Sequence, residues 1–102
     1  MPKKMILAVD DEPDLLDIVR TWLKPQYDVI TAPDGEQGLR FANTLHPDLV
    51  ILDISMPKMG GFEVLSALRG YKSARELPVI MLTAQGQTRN IYERNVSKSR
   101  IF

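Results

Sequence analysis

The sequence predicts an α/β fold built on a parallel sheet, and three observations carry that prediction. Short apolar runs rich in β-branched residues recur along the chain: "MILAV" at 5–9, "YDVITA" at 27–32, "DLVILD" at 48–53 and "PVIMLT" at 78–83. Helical periodicity fills the intervals between them, so the order reads β-α-β-α-β-α-β, which implies right-handed crossovers and a sheet covered on both faces. The stretch "LVIL" at 49–52 is apolar at every position, as a central parallel strand requires.

Each helix has its own signals. In the first, Leu15, Leu16, Val19, Trp22 and Leu23 form an apolar stripe, Pro13 occupies a favoured first-turn position, and Pro25 stops the helix. Asp14, Asp17, Arg20 and Lys24 fill its wet face. The second begins after Asp34 as N-cap, buries Leu39, Phe41, Ala42 and Leu45, and ends before Pro47. Its opening "GEQG" lacks the three spaced glycines of a dinucleotide fingerprint. The third buries Phe62, Val64, Leu65 and Leu68 and stops at Gly70. Trp22 and Phe41 read as core residues, and His46 as a helix-end residue beside the terminal carbonyls with no chemical role.

Bulk properties restrict the chemistry. With 102 residues, 44% apolar and 25% charged, and a formal net charge of zero, the chain suits one domain with one core. No apolar run approaches the roughly 20 residues that cross a bilayer, and "MPKKMILAVDD" turns acidic too soon for a secretory signal. A cytoplasmic protein without membrane contact is expected. Zero cysteines and the lone His46 exclude disulfides, thiolate zinc sites, thiol nucleophiles and histidine metal clusters, leaving oxygen ligands. The charge is uneven: Arg89, Arg94, Lys98 and Arg100 oppose only Glu93 near the end, a basic segment that reads as a solvated tail. No direct nucleic-acid binding is expected from it.

In "ILAVDDEPDLL", residues 6–16, a strand runs straight into two adjacent carboxylates. Asp10 and Asp11 end the first strand, Asp53 the third and Thr83 the fourth, and in open α/β sheets ligands gather at these carboxyl ends. Helix capping accounts for one acid of the pair but not both. Like charges brought together need a counter-charge, and without His or Cys the set suits a hard divalent cation such as Mg²⁺. A backbone carbonyl from the loop "ISMPKMGG" would complete the protein ligands. A strand-end Asp can serve as nucleophile in phosphoryl transfer, with Thr83 bonding a phosphoryl oxygen, although Thr83 alone is also an ordinary strand former.

The stretches "ILAVDDEPDLL", "VILDISMPKMGGFEVL" and "PVIMLTA" together resemble the receiver domain of two-component response regulators, from about Lys4 to about Ala84. The resemblance implies a flavodoxin-like sheet of strand order 2-1-3-4, and a phosphoacceptor switch that catalyses at most its own phosphorylation and dephosphorylation. It implies that Asp53 takes a phosphoryl group from a sensor histidine kinase or phosphotransfer protein. Asp11 and Asp53 would bind Mg²⁺ directly, Asp10 through water, and Ser55 through its backbone carbonyl. Thr83 would be the switch hydroxyl. Pro57 and Gly61 match the turn after the acceptor, while Gly60 stands where an Asp is common.

The resemblance ends after Ala84, dividing the chain into a receiver core at 1–84 and an atypical basic tail at 85–102. A further helix, strand and helix would need roughly 30 to 35 residues, and 19 follow Thr83. The fifth strand and last helix are therefore expected to be missing or replaced. The family's phosphate-pairing lysine has its candidate in Lys98 of "NVSKSRIF". An uncovered fourth-strand edge would favour a homodimer by exchange of the C-terminal region, with Lys98 donated in trans, or a tail folded back as a makeshift fifth strand. Two readings of other classes stand beside the receiver. An aspartyl-phosphate phosphatase of the haloacid-dehalogenase type would want an acid where Ser55 stands, and a phosphorylation-independent interaction module would need none of the acids.

Overall fold

The computed structural model describes residues 3–56, 58–71 and 76–82, together with the backbone of 99–101. The chain builds β1 (Met5–Val9), α1 (Pro13–Leu23), β2 (Asp28–Ala32), α2 (Gly35–Leu45), β3 (Leu49–Asp53), α3 (Gly61–Gly70), β4 (Val79–Leu82) and β5 (Ser99–Ile101). All pairings are parallel, in the order β2-β1-β3-β4-β5, so the sheet opens with the expected 2-1-3-4. β5 runs beside β4 from Val79↔Ser99 to Met81↔Ile101. A short replacement for the fifth strand thus covers the β4 edge within the chain. The open edge that motivated exchange between two copies is met in cis. The expected boundary between residues 84 and 85 lies outside the described residues.

Alternation along the strands divides the core into two layers. Leu7, Val9, Val50, Leu52, Val79 and Met81 are all at most 2% exposed and pack with Ala42 of α2 and Val64, Leu65 and Leu68 of α3. Full burial of such side chains contributes roughly 1.5–3 kcal/mol each. Ile6 and Ala8 point to the other side, where α1 packs on β1 and β2 and buries Leu16.

The helix ends follow local chemistry. Asp34 caps α2, its Oδ1 accepting from the Gln37 backbone N–H at 2.8 Å. α1 starts on Pro13 and ends at Leu23, two residues before Pro25. α2 closes on His46 in the left-handed region, φ 52°, before Pro47. Gly38 explains the "GEQG" stretch: a Cβ there would lie 2.8 Å from Val9 Cγ2, so its absence lets α2 rest directly on β1.

Three expected core residues are outside. Trp22 is 77% exposed, Phe62 44% and Leu45 40%. For Trp22 the cause is the position of α1: it lies over β1 and β2, and the stripe's outer flank extends past the strands it covers. Leu45 and Phe62 occupy the last turn of α2 and the first of α3, where each helix clears its partner. Phe41 and Leu39 are partly buried against the core. Among the described residues no helix is long and apolar enough to cross a membrane.

Candidate functional site

Parallel pairing of β1 with β3 sets Val9 opposite Leu52, so the residues that follow, Asp10 and Asp53, leave the sheet side by side. Carboxylate oxygens of Asp10, Asp11 and Asp53 all lie within 4.8 Å of one another. Asp10 and Asp53 are each only 6% exposed, whereas Asp11 faces solvent. Both buried carboxylates are oriented by the chain that follows them. Asp10 Oδ1 accepts from the Glu12 N–H at 2.9 Å, and Asp53 Oδ1 accepts from the Ser55 N–H at 3.2 Å. These two-residue loops are the turns that Asp side chains favour.

The electrostatics are unfavourable without added positive charge. Burial raises the Asp10 pKa from 3.8 to about 6, against the lowering effect of the Glu12 N–H, and the charges of Asp53, Asp11 and Glu12 push the same way. Burial likewise raises Asp53, opposed by the Ser55 N–H and reinforced by Asp11 and Glu12. Three hard oxygen donors at this spacing are a suitable donor set for a small divalent cation, which would relieve both shifts.

The loop after β3 folds back over the strand end. The Gly61 N–H donates to the Ile54 carbonyl at 3.0 Å, and a Cβ at Gly61 would collide with the Asp53 carbonyl oxygen and come within 2.8 Å of Ile54 Cα. Only glycine permits that approach. The Gly60 N–H is accepted by Glu63 Oε1 at 2.9 Å, closing the start of α3 without a side chain at position 60. Beside Asp11 a cavity of about 420 Å³ opens between the Asp34–Glu36 turn and the loop carrying Met56, Lys58 and Met59. Lys58 sits in the left-handed region, φ 66°.

The structure therefore brings together Asp10, Asp11 and Asp53 and places Ser55 against Asp53 through its N–H. Pro57, Thr83 and Lys98 lie outside the described residues. Lys58, Met56 and Glu36 beside the site were not singled out from the sequence. Glu36 could have been found, since the β2–α2 turn opens at the same sheet end as Asp10. The positive φ of Lys58 has no residue-type signal, because lysine rarely adopts it.

Comparison with known proteins identifies the arrangement. The response regulator receiver domain matches residues 6–96. The alkaline phosphatase synthesis transcriptional regulatory protein PhoP of Bacillus subtilis is 45% identical over 85 residues, which cover 82% of this chain and 35% of PhoP. The DNA-binding dual master transcriptional regulator RpaA of Synechocystis is 44% identical over 88 residues, covering 85% of this chain and 36% of RpaA. The chain thus spans about a third of the length of these curated relatives. RpaA's DNA binding leaves the expectation of no nucleic-acid role without support from the relatives. Among solved structures, the N-terminal domain of a response regulator receiver protein from Methanoculleus marisnigri has a TM-score of 0.75 at 44% identity, covering 78% of this chain and 66% of that one. The receiver domain of Francisella response regulator 1452 has a TM-score of 0.74 at 30% identity, covering 84% and 70%.

Proposed function

The chain belongs to the response regulator receiver family of two-component signalling, and from that premise we propose that Asp53 accepts a phosphoryl group from a histidine kinase or phosphotransfer protein with Mg²⁺ at the acidic cluster. The observation that carries this reading is the convergence of Asp10, Asp11 and Asp53 within 4.8 Å at the carboxyl end of a parallel sheet. Asp11 and Asp53 would hold Mg²⁺ directly, Asp10 through water and Ser55 by its carbonyl. When bound, the ion supplies positive charge that neutralises phosphoryl oxygens.

The chain's own groups perform the remaining work. The Ser55 N–H fixes Asp53 Oδ1 and so orients the carboxylate. An Asp53 oxygen bonds phosphorus as the donor's N–P bond breaks, and the imidazole nitrogen leaves with that electron pair. Gly61 lets the loop close over the strand end, and the neighbouring cavity beside Asp11 is open for the donor's approach. Thr83 is assigned the switch hydroxyl and Lys98 the phosphate partner, with the receiver core ending near residue 84. The product is a phosphorylated switch rather than a turnover enzyme. A haloacid-dehalogenase-type phosphatase would need a second acid where Ser55 instead serves through its N–H.

Intact-mass measurement after treatment with acetyl phosphate and Mg²⁺ tests the proposal. One added phosphoryl group is expected, lost in Asp53→Asn and in the presence of chelator. Addition that persists in Asp53→Asn, or steady turnover of a generic phosphate ester, would overturn it.

A further inference from the structure

Lys58 is held in a backbone conformation that its residue type disfavours. At φ 66° the Cβ of an L residue crowds the following carbonyl oxygen, and glycine takes that region without the clash. The loop around it is anchored on both sides. Met56 is buried. Met59 Cγ stands 3.1 Å from where a Cβ of Gly35 would be, and the Met59 carbonyl oxygen 3.0 Å, so the loop rests directly on the β2–α2 turn. Strain of this kind persists where the surroundings fix it, and it collects at functional sites.

The side chain carried there is exposed and lines the cavity of about 420 Å³ beside Asp11. Among the residues lining that cavity Lys58 is the sole cation, and Asp11, Asp34 and Glu36 are acids. Asp34 is already engaged, its oxygens accepting from the Gln37 backbone N–H at 2.8 Å and from Gln37 Nε2 at 3.4 Å. Among the described residues no partner holds the Lys58 ammonium. Asp11 belongs in turn to the carboxylate cluster, so the cavity adjoins the group that holds Asp53.

We propose that Lys58 recruits the phosphoryl donor: its ammonium draws the donor's phosphate dianion past the acidic rim of the cavity toward Asp53, and so sets the rate of encounter. The proposal rests on Asp53 being the acceptor. A divalent ion at the cluster answers the charges of Asp10, Asp11 and Asp53 but leaves Asp34 and Glu36, which line the approach. Lys58 supplies the opposing charge from the loop across the cavity, and charges lining a cleft act on the arrival of a charged ligand. A purely structural role explains less. An exposed side chain adds no core contact, and glycine would serve the turn better.

Acetyl phosphate is the probe, added with Mg²⁺ to the full chain, with initial phosphorylation rates read by intact mass at low ionic strength. Across about 10 Å of water one cation changes the encounter with a dianion about three- to fivefold, which is the slowing expected for Lys58→Gly. Lys58→Arg should restore the rate and Lys58→Glu should slow it further. In about 1 M salt, where screening acts within roughly 3 Å, the differences should collapse. The urea midpoint of Lys58→Gly should equal or exceed that of the wild type, because the left-handed strain is relieved. An unchanged rate in Lys58→Gly at low ionic strength, a slowing that survives high salt, or a lowered midpoint would each overturn the role of Lys58. A wild-type chain that takes up no phosphate would overturn Asp53 as acceptor, and the role of Lys58 with it.

Discussion

Leu52 and Ile51 are neighbours on β3, yet Leu52 is 0% exposed under α2 and α3 while Ile51 is half-open beside α1. The run "LVIL" is uniformly apolar, so residue type does not distinguish them. What separates them, among the described residues, is which helices lie over each face. A third environment sits at the end of the same strand: Asp53 is buried almost as deeply, at 6% exposed, but burial there destabilises the fold because it removes water from a charge among like charges. Burial therefore stabilises or destabilises within a few residues, according to what surrounds the group.

The largest expected effect tests the closed face. Leu52→Ala should cost about 3–4 kcal/mol by lost burial and an unfilled cavity, read as a lower urea midpoint with an unchanged slope. A cost near 1 kcal/mol would show that this face is loosely packed.

The acidic end should give the next largest effect. Asp10 holds its proton more tightly in the folded chain, where its pKa is pushed up to about 6, than at its ordinary value of 3.8. Between those values the folded chain binds more protons, so stability is greatest below pH about 4 and falls as pH rises through about 6. A raised Asp53 acts in the same direction. At 1.36 kcal/mol per pKa unit the loss is on the order of 2–3 kcal/mol. Urea midpoints at low and neutral pH without Mg²⁺ should show it, and Asp10→Asn should flatten the profile. Millimolar Mg²⁺ should restore stability at neutral pH and have little effect near pH 4. A wild-type profile parallel to that of Asp10→Asn would contradict the assignment.

On the other face, Ile51→Ala should cost about 1 kcal/mol, since the side chain is only half-buried among the described residues and little cavity forms. A loss equal to that of Leu52→Ala would mean the two faces are equivalent in solution. The smallest effect belongs to the α3 start. Gly60 has φ −76° and ψ 172°, extended backbone suited to a capping serine, and its Cβ would lie 3.2 Å from the Ile54 carbonyl. Gly60→Ser should stabilise by a few tenths of a kcal/mol if that carbonyl yields, visible as a small rise in Tm.

Much of this was legible from local pattern. The strand runs at 5–9 and 48–53, the Asp34 cap, the Pro13 start and the strand-end acids each depend on a few consecutive residues and their period. The acids needed one more step, the rule that parallel strands bring their carboxyl ends together, and that step held for Asp10, Asp11 and Asp53. Trp22, Phe62 and Leu45 were misplaced because periodicity states which side chains share a helix face, not how far the neighbouring layer extends beneath it. Gly38 carried no legible reason until Val9 stood 2.8 Å from its missing Cβ.

By itself, then, the sequence determined the alternation of strands and helices, the family, and the three carboxylates that converge at the strand ends, since all of these are written in residue type at fixed short spacing. Only the tertiary structure decided that β5 closes the β4 edge in cis, that Asp10 is buried deeply enough for its pKa to rise to about 6, and that Ile51 and Ile80 are half-buried while their strand neighbours Leu52 and Met81 are enclosed. Those properties depend on contacts between residues far apart in the chain, whose distances and solvent exclusion no local pattern encodes.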